Sequence, residues 1–159
     1  METPAATADA PEGLDAALDA CDGIEGPLLP ILHRVQAAYG HIPDAAVPAI
    51  AARLNLGRAE VHGVISFYHD FRTTPPGRHV VKLCRSEACQ ALGADALAAH
   101  AEARLGVAMG ETRGDGAVTL EPVYCLGLCA CGPAAMVDGQ PVGRVDAARL
   151  DALIDTVLA

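Results

Sequence analysis

The chain has 159 residues, enough for one domain or two small ones, and apolar residues make up 52% of it. Its formal net charge is −9, with 11 Lys and Arg set against 20 Asp and Glu, and only 3% of the residues are aromatic. Nucleic-acid binding needs clustered basic residues, so this composition disfavours a nucleic acid or an anionic membrane surface as partner and favours another protein.

The start of the chain, METPAATADA, lacks the basic and apolar regions of a secretory signal. No apolar run approaches the roughly 18 residues of a transmembrane helix. We therefore expect a flexible leader over residues 1–10 and a cytoplasmic protein without membrane insertion. Because disulfides are uncommon in that compartment, the six cysteines indicate metal binding or redox chemistry.

Residues 11–72 carry apolar side chains at helical spacing and predict a small helical bundle. An acidic helix is expected at about 11–21, and a second lies in PLLPILHRVQAAYG (27–40). Asp44 is expected to cap a third helix, and a fourth follows Gly57.

The sequence changes character after the bundle. TTPPG cannot continue a helix, so residues 73–78 are predicted to be a linker. The remainder, 79–159, begins with a predicted strand HVVKL (79–83), a helix at about 91–105 and a second strand GAVTLEPVY (116–124).

Asp138 and Gly139 separate two short apolar runs and predict a β-hairpin, after which Asp146 is expected to cap a last helix. The order is β-α-β-β-β-α. A strand–helix–strand unit makes the first two strands parallel, and the hairpin adds antiparallel strands. The predicted fold class is therefore α+β: an N-terminal helical bundle followed by a four-stranded mixed sheet with the layout of a thioredoxin-like domain.

Four cysteines form two pairs, and each pair begins where a predicted strand ends. Cys84 and Cys89 enclose four residues, and Cys125 and Cys129 enclose three. Parallel strands bring their carboxyl ends to one edge of a sheet, where ligands usually bind in α/β folds. Four thiolates, two per iron, are what a 2Fe–2S cluster requires.

Two other readings of these cysteines stay open. Structural zinc also takes four cysteines, which would make the chain a zinc-stapled interaction module. A thiol–disulfide enzyme normally uses C-x-x-C, and the nearest approach to it here is Cys129-Ala130-Cys131.

Several neighbours are expected to serve a cluster at this edge. Glycines would let N–H groups approach it, apolar residues would exclude water, and basic residues would offset its negative charge. These residues are Gly93, Gly127 and Gly132; Leu126, Leu128 and Ala130; and Lys82 and Arg85.

At CRSEACQ and VYCLGLCACGPAAMVDGQPVGRV the chain resembles the thioredoxin-like 2Fe–2S subunits of respiratory complex I and of NAD-dependent formate dehydrogenases and hydrogenases. The resemblance also covers PLLPILHRVQAAYGHIPDAAVPAIAARLNLGRAEVHGVISFY in the helical part. EVHGVISFYHDFR and CLGLCACGPAAM are most similar to the gamma subunit of soluble molybdenum-dependent formate dehydrogenases. The resemblance implies that Cys84, Cys89, Cys125 and Cys129 hold the iron of one 2Fe–2S cluster.

The resemblance also implies partners. The chain is expected to transfer electrons beside a flavin-bearing, NAD-reactive subunit and a catalytic subunit of an NAD-dependent formate dehydrogenase. FMN, NAD and the molybdenum cofactor are expected on those partners only, and no catalytic residue is expected in this chain. The alternative is the equivalent subunit of an NADH dehydrogenase (complex I) or of an NAD-dependent hydrogenase.

Two cysteines lie outside the motif. Cys131 is expected to be a spectator because the spacing of Cys125 and Cys129 is already complete. Cys21 is expected to be a structural or exposed single thiol. Pro133 precedes the third strand, where thioredoxin-like domains often hold a cis proline.

Overall fold

The computed structural model describes residues 11–159, so the predicted leader over residues 1–10 lies outside the described residues. The chain divides into a helical unit that ends at Pro75 and a sheet unit that begins at Pro76. This division falls inside the segment 73–78. No helix in residues 11–159 has the length and the apolar character needed to cross a membrane.

The helical unit contains α1 (Leu14–Asp19), α2 (Leu28–Tyr39), α3 (Ala46–Leu54) and α4 (Arg58–Phe67). Apolar residues at three- and four-residue spacing place one face of each helix in a shared core. The most deeply buried of these side chains are Leu14, Ile31, Leu32, Val35, Val47, Ile50 and Val61, and Ile42 from the loop after α2 joins them.

The expected cap of the third helix is wrong. The helix begins at Ala46, its N-cap position is Ala45, and no side chain caps it. Asp44 lies one residue too early, and its backbone carbonyl accepts the N–H of Val47 at 3.2 Å instead.

The sheet unit contains β1 (His79–Cys84), α5 (Glu87–Gln90), α6 (Ala94–Leu105), β2 (Val118–Val123), β3 (Ala135–Val137), β4 (Gln140–Val142) and α7 (Ala147–Leu158). The strand order is β2-β1-β3-β4. β1 pairs with β2 in parallel, and both the β1–β3 and β3–β4 pairs are antiparallel. The predicted α+β class and the four-stranded mixed sheet are confirmed.

The helix predicted over about 91–105 is present as α6 and begins at Ala94, because Gly93 has φ +92 and interrupts the helical backbone before it. Only glycine adopts this left-handed conformation without steric cost. The short helix α5, which precedes that range, was not predicted. The last helix follows the prediction more closely, since the Asp146 carboxylate accepts the N–H of Arg149 at 2.8 Å.

The predicted hairpin is confirmed and is tied to β1 by one side chain. Asp138 and Gly139 form the two-residue turn with φ +48 and +81, as a type I′ turn requires. The Asp138 carboxylate accepts the N–H of Val80 at 2.8 Å and lies 2.7 Å from Nδ1 of His79. Partial burial raises the pKa of Asp138, but these hydrogen bonds and the charge of His79 outweigh it and lower the pKa.

We expect Asp138→Ala to weaken the sheet by about 1 kcal/mol, because β1 loses the acceptor that holds the hairpin turn. Asp138→Asn is the matched control, since it keeps an acceptor oxygen and tolerates the left-handed conformation. Hydrogen exchange of the amides in residues 79–84, followed by mass spectrometry near neutral pH, measures the difference.

The lowered pKa of Asp138 fixes the sign of the pH dependence. The stabilisation is present above the pKa of about 3.9 of an unfolded aspartate and is lost as the pH falls through the lower folded value. The wild-type protein should therefore exchange like the asparagine variant in strong acid, because a protonated carboxyl keeps an acceptor oxygen but no charge. Equal protection of the wild-type and alanine proteins at neutral pH would contradict this role of Asp138.

Candidate metal centre

The parallel pairing of β1 and β2 brings both cysteine loops to one edge of the sheet. Cys84 is the last residue of β1 and lies opposite Val123, the last residue of β2. The ladder continues one step further, because the N–H of Arg85 donates to the Val123 carbonyl at 2.8 Å. Cys125 follows two residues after β2, so the two loops leave the sheet side by side.

The four thiols form two different pairs. Cys84 and Cys89 are 2% and 1% exposed, and we call them the buried pair. Cys125 and Cys129 are exposed, with 3.9 Å between their Sγ atoms, and we call them the exposed pair. Cys89 shares a hydrogen bond with Cys84, and the charge of Cys129 raises the pKa of Cys89, so the two pairs are neighbours. None of the four is in a disulfide.

Backbone N–H groups are directed at the sulfur atoms. The N–H of Gly127 donates to Cys125 Sγ at 3.4 Å, and the N–H of Cys125 donates to Cys84. The N–H of Ala134 donates to Cys89. Both Cys125 and Gly127 have positive φ, at +95 and +74, and this turn is what points their N–H groups inward. Donors of this kind stabilise negative charge on sulfur.

The pKa of each thiol depends on its hydrogen bonds and on the neighbouring thiols. Burial raises the pKa of Cys84, but hydrogen bonds from the side chain and backbone of Ser86, from Cys89 and from the Cys125 N–H lower it to about 7. Burial and the neighbouring Cys84 raise the pKa of Cys89. A hydrogen bond with Cys125 and its charge raise the pKa of Cys129. A bound cation would overcome these mutual pKa effects, because it deprotonates coordinating thiols.

The grouping of the four thiols bears on the metal centre that they could hold. A tetrahedral zinc site places four ligands around a single ion. A 2Fe–2S cluster needs two thiolates at each of two irons, so the two thiol pairs fit it.

The expected apolar surroundings are present in part. Leu126, Leu128 and Val123 pack against the buried pair, whereas Ala130 is exposed. A Cβ on Gly132 would lie 3.5 Å from Cys89 Sγ and 3.0 Å from Leu92 Cδ1, so this position has little space for a side chain. Gly93 has no such neighbour within 4 Å, and its role is the break between α5 and α6.

The two basic residues expected to offset cluster charge pair with carboxylates instead. Lys82 Nζ lies 3.5 Å from the Glu121 carboxylate, its cross-strand neighbour, and Arg85 lies 2.8 Å from Asp95.

The two remaining cysteines are placed apart from these contacts. A Cβ on Gly143 would lie 2.9 Å from both the Cβ and the carbonyl oxygen of Cys131, so Cys131 packs closely on that backbone. Its carbonyl also accepts the N–H of Arg144. Cys21 is 2% exposed and belongs to the core of the helical unit, so of the two expected alternatives it is a buried and not an exposed thiol.

Three residues at this edge of the sheet were not predicted from the sequence to lie near the thiols. Tyr124 and Leu92 are 71% and 56% exposed beside the exposed and buried pairs, respectively. Ser86 Oγ lies 3.5 Å from Cys84 Sγ. Of the three, only Ser86 could have been identified from the sequence, because a serine just before a helix is a typical N-cap.

The thioredoxin-like [2Fe-2S] ferredoxin family matches residues 14–158, which is nearly all of the described chain. The chain belongs to this family. The family implies a 2Fe–2S cluster, and the two thiol pairs are a donor set that fits such a cluster. The Gly132–Pro133 peptide is cis, as in many thioredoxin-like domains.

Similar ferredoxin-family proteins are parts of larger enzymes. An E-type subunit of the NADH-quinone oxidoreductase of Rhizobium meliloti is 37% identical over 148 residues, which cover 93% of this chain and 88% of that protein. The HndA subunit of the NADP-reducing hydrogenase of Solidesulfovibrio fructosivorans is 31% identical over 121 residues, covering 76% of this chain and 71% of that protein.

A solved structure shows the same fold. A chain of an NAD+-reducing [NiFe]-hydrogenase in the H2-reduced state matches with a TM-score of 0.70 and 30% identity. The match covers 83% of this chain and 22% of the hydrogenase chain. This chain thus spans about a fifth of that longer protein.

We expect Cys125→Ser to lose most of the bound iron and acid-labile sulfide, because one iron loses a thiolate of its pair. Cys131→Ser is the matched control, only six residues further along the chain, and should retain both. Iron and sulfide assays on anaerobically purified proteins measure the effect. Equal loss in the two variants would contradict the assignment of the pairs.

Proposed function

We propose that this chain is the electron-transfer subunit of an NAD(P)-reactive oxidoreductase complex and holds one 2Fe–2S cluster on Cys84, Cys89, Cys125 and Cys129. The observation that carries the proposal is the meeting of two thiol pairs at one sheet edge, with N–H groups directed at their sulfur atoms. When bound, the cluster supplies one-electron transfer.

The residues of this chain give the cluster two different sides. The buried pair would hold iron away from water, because Leu126, Leu128 and Val123 pack against it. The exposed pair would hold iron at the surface, where a partner protein can approach.

The exposed side also carries features of a protein-binding surface. Tyr124 directly precedes Cys125 and is 71% exposed, and Leu92, beside the buried pair, is 56% exposed. Large exposed apolar side chains next to a redox centre are expected to be covered in the working complex. We assign this surface to a flavin-bearing, NAD-reactive subunit, and FMN and NAD belong to that partner.

The identity of the whole complex has two candidates. The names of the similar proteins favour an NADH dehydrogenase or an NAD(P)-dependent hydrogenase. The segments EVHGVISFYHDFR and CLGLCACGPAAM favour a formate dehydrogenase with a molybdenum catalytic subunit. Isolation of the complex under native conditions, followed by reduction assays, separates the candidates. NADH should reduce the cluster in each of them, whereas hydrogen should reduce it only in a hydrogenase and formate only in a formate dehydrogenase.

The cluster itself is tested on the full chain purified without oxygen. Its visible spectrum and the EPR spectrum after dithionite reduction should show a brown protein that bleaches and gives an S = 1/2 signal. A colourless chain that holds one equivalent of zinc and takes up no iron and sulfide would contradict electron transfer and select the zinc-stapled module.

Replacing Tyr124 with alanine should weaken binding of the flavin subunit roughly tenfold or more, because truncation of a central interface aromatic commonly costs this much. Tyr124→Phe is the matched control and should bind nearly as well as wild type. Binding is titrated with the copurified flavoprotein, while the cluster EPR signal stays unchanged in both variants. Equal affinity of the alanine and wild-type chains would place the interface elsewhere.

A further inference from the structure

Ser86 occupies an N-cap position without using its side chain to cap the helix. It directly precedes α5, has φ −69 and ψ 156, and makes no side-chain cap hydrogen bond. A serine at this position usually accepts an N–H of the first helical turn through its hydroxyl. Here the backbone carbonyl of Ser86 accepts the N–H groups of Cys89 and Gln90, both at 2.9 Å. The hydroxyl is therefore available for another partner.

That partner is the sulfur of Cys84. Ser86 Oγ lies 3.5 Å from Cys84 Sγ, and the backbone N–H of Ser86 is directed at the same sulfur. A cysteine that binds iron is a thiolate and has no proton to donate. In the loaded protein the Ser86 hydroxyl must then be the donor and the sulfur the acceptor.

The position of this contact makes it effective. Cys84 is only 2% exposed, so little water competes for its sulfur, and a hydrogen bond is stronger in such surroundings. Other donors to the thiols include the backbone N–H groups of Ala134, Cys125 and Gly127. The Ser86 hydroxyl differs from them because a single substitution removes it and leaves the backbone unchanged.

We propose that Ser86 is a positioning residue that raises the reduction potential of the cluster by donating its hydroxyl hydrogen to Cys84 Sγ. This inference rests on the proposed function. Reduction adds one electron and therefore one negative charge to the cluster and its thiolates. A hydrogen bond to a ligand sulfur stabilises the reduced state more than the oxidised state, which raises the potential.

The test is an EPR-monitored redox titration of the full chain, with dithionite as reductant, on wild type and three variants. Ser86→Ala and Ser86→Gly remove the hydroxyl, and Ser86→Thr keeps it. At a fixed applied potential, the ratio of reduced to oxidised cluster should fall roughly tenfold in the alanine and glycine variants. For a one-electron carrier this corresponds to a shift of about 59 mV to more negative potential. The threonine variant should titrate close to wild type.

The outcomes separate this inference from the proposed function. A wild-type chain that takes up no 2Fe–2S cluster overturns the proposed function and the inference with it. A wild-type chain that holds a cluster, with alanine and glycine variants titrating at its potential, overturns the role of Ser86 alone. Lower iron content with an unchanged potential also overturns that role, because a residue that only supports the loop alters content and leaves potential alone. If the alanine variant holds no cluster, the reduction potential of the glycine variant tests the role of Ser86.

Discussion

The parallel pairing of β1 with β2 is the constraint on which the rest of the site depends. The register sets Cys84 opposite Val123, and buried residues on the same strands, such as Val81 and Leu120, hold that register in the core. A slip of one residue would turn these side chains from the core to the opposite face, so the packing energy protects the alignment. The two cysteine loops meet only because this alignment is fixed.

The buried and exposed pairs meet two requirements of a one-electron carrier that conflict with each other, protection from water and access for a partner. Negative charge on sulfur needs hydrogen-bond donors and protection from water, which the buried pair receives from the Cys125 and Ala134 N–H groups. Electron exchange needs close approach by another protein, which the exposed pair permits. The positive φ of Cys125 links the two requirements, because its N–H is directed at Cys84 while its own side chain reaches the surface.

The sequence was informative where a short pattern determines geometry. The strand that ends at Cys84, the Asp138–Gly139 turn and the Asp146 cap all depend on neighbours in sequence, and the structure has each of them. Features that depend on distant contacts were missed or wrong. The pairing of Lys82 with Glu121 follows from strand register, and the contact of Ser86 with Cys84 follows from the loop conformation. Neither contact can be predicted from composition or from residue spacing.

The central claim is that four cysteines hold two irons as two pairs, and Mössbauer spectroscopy of the iron-loaded full chain tests it most directly. The account predicts two iron sites per chain, both with tetrahedral sulfur coordination, of which one becomes ferrous when the chain accepts one electron. A single iron surrounded by four thiolates, or iron bound through oxygen or nitrogen ligands, would contradict it.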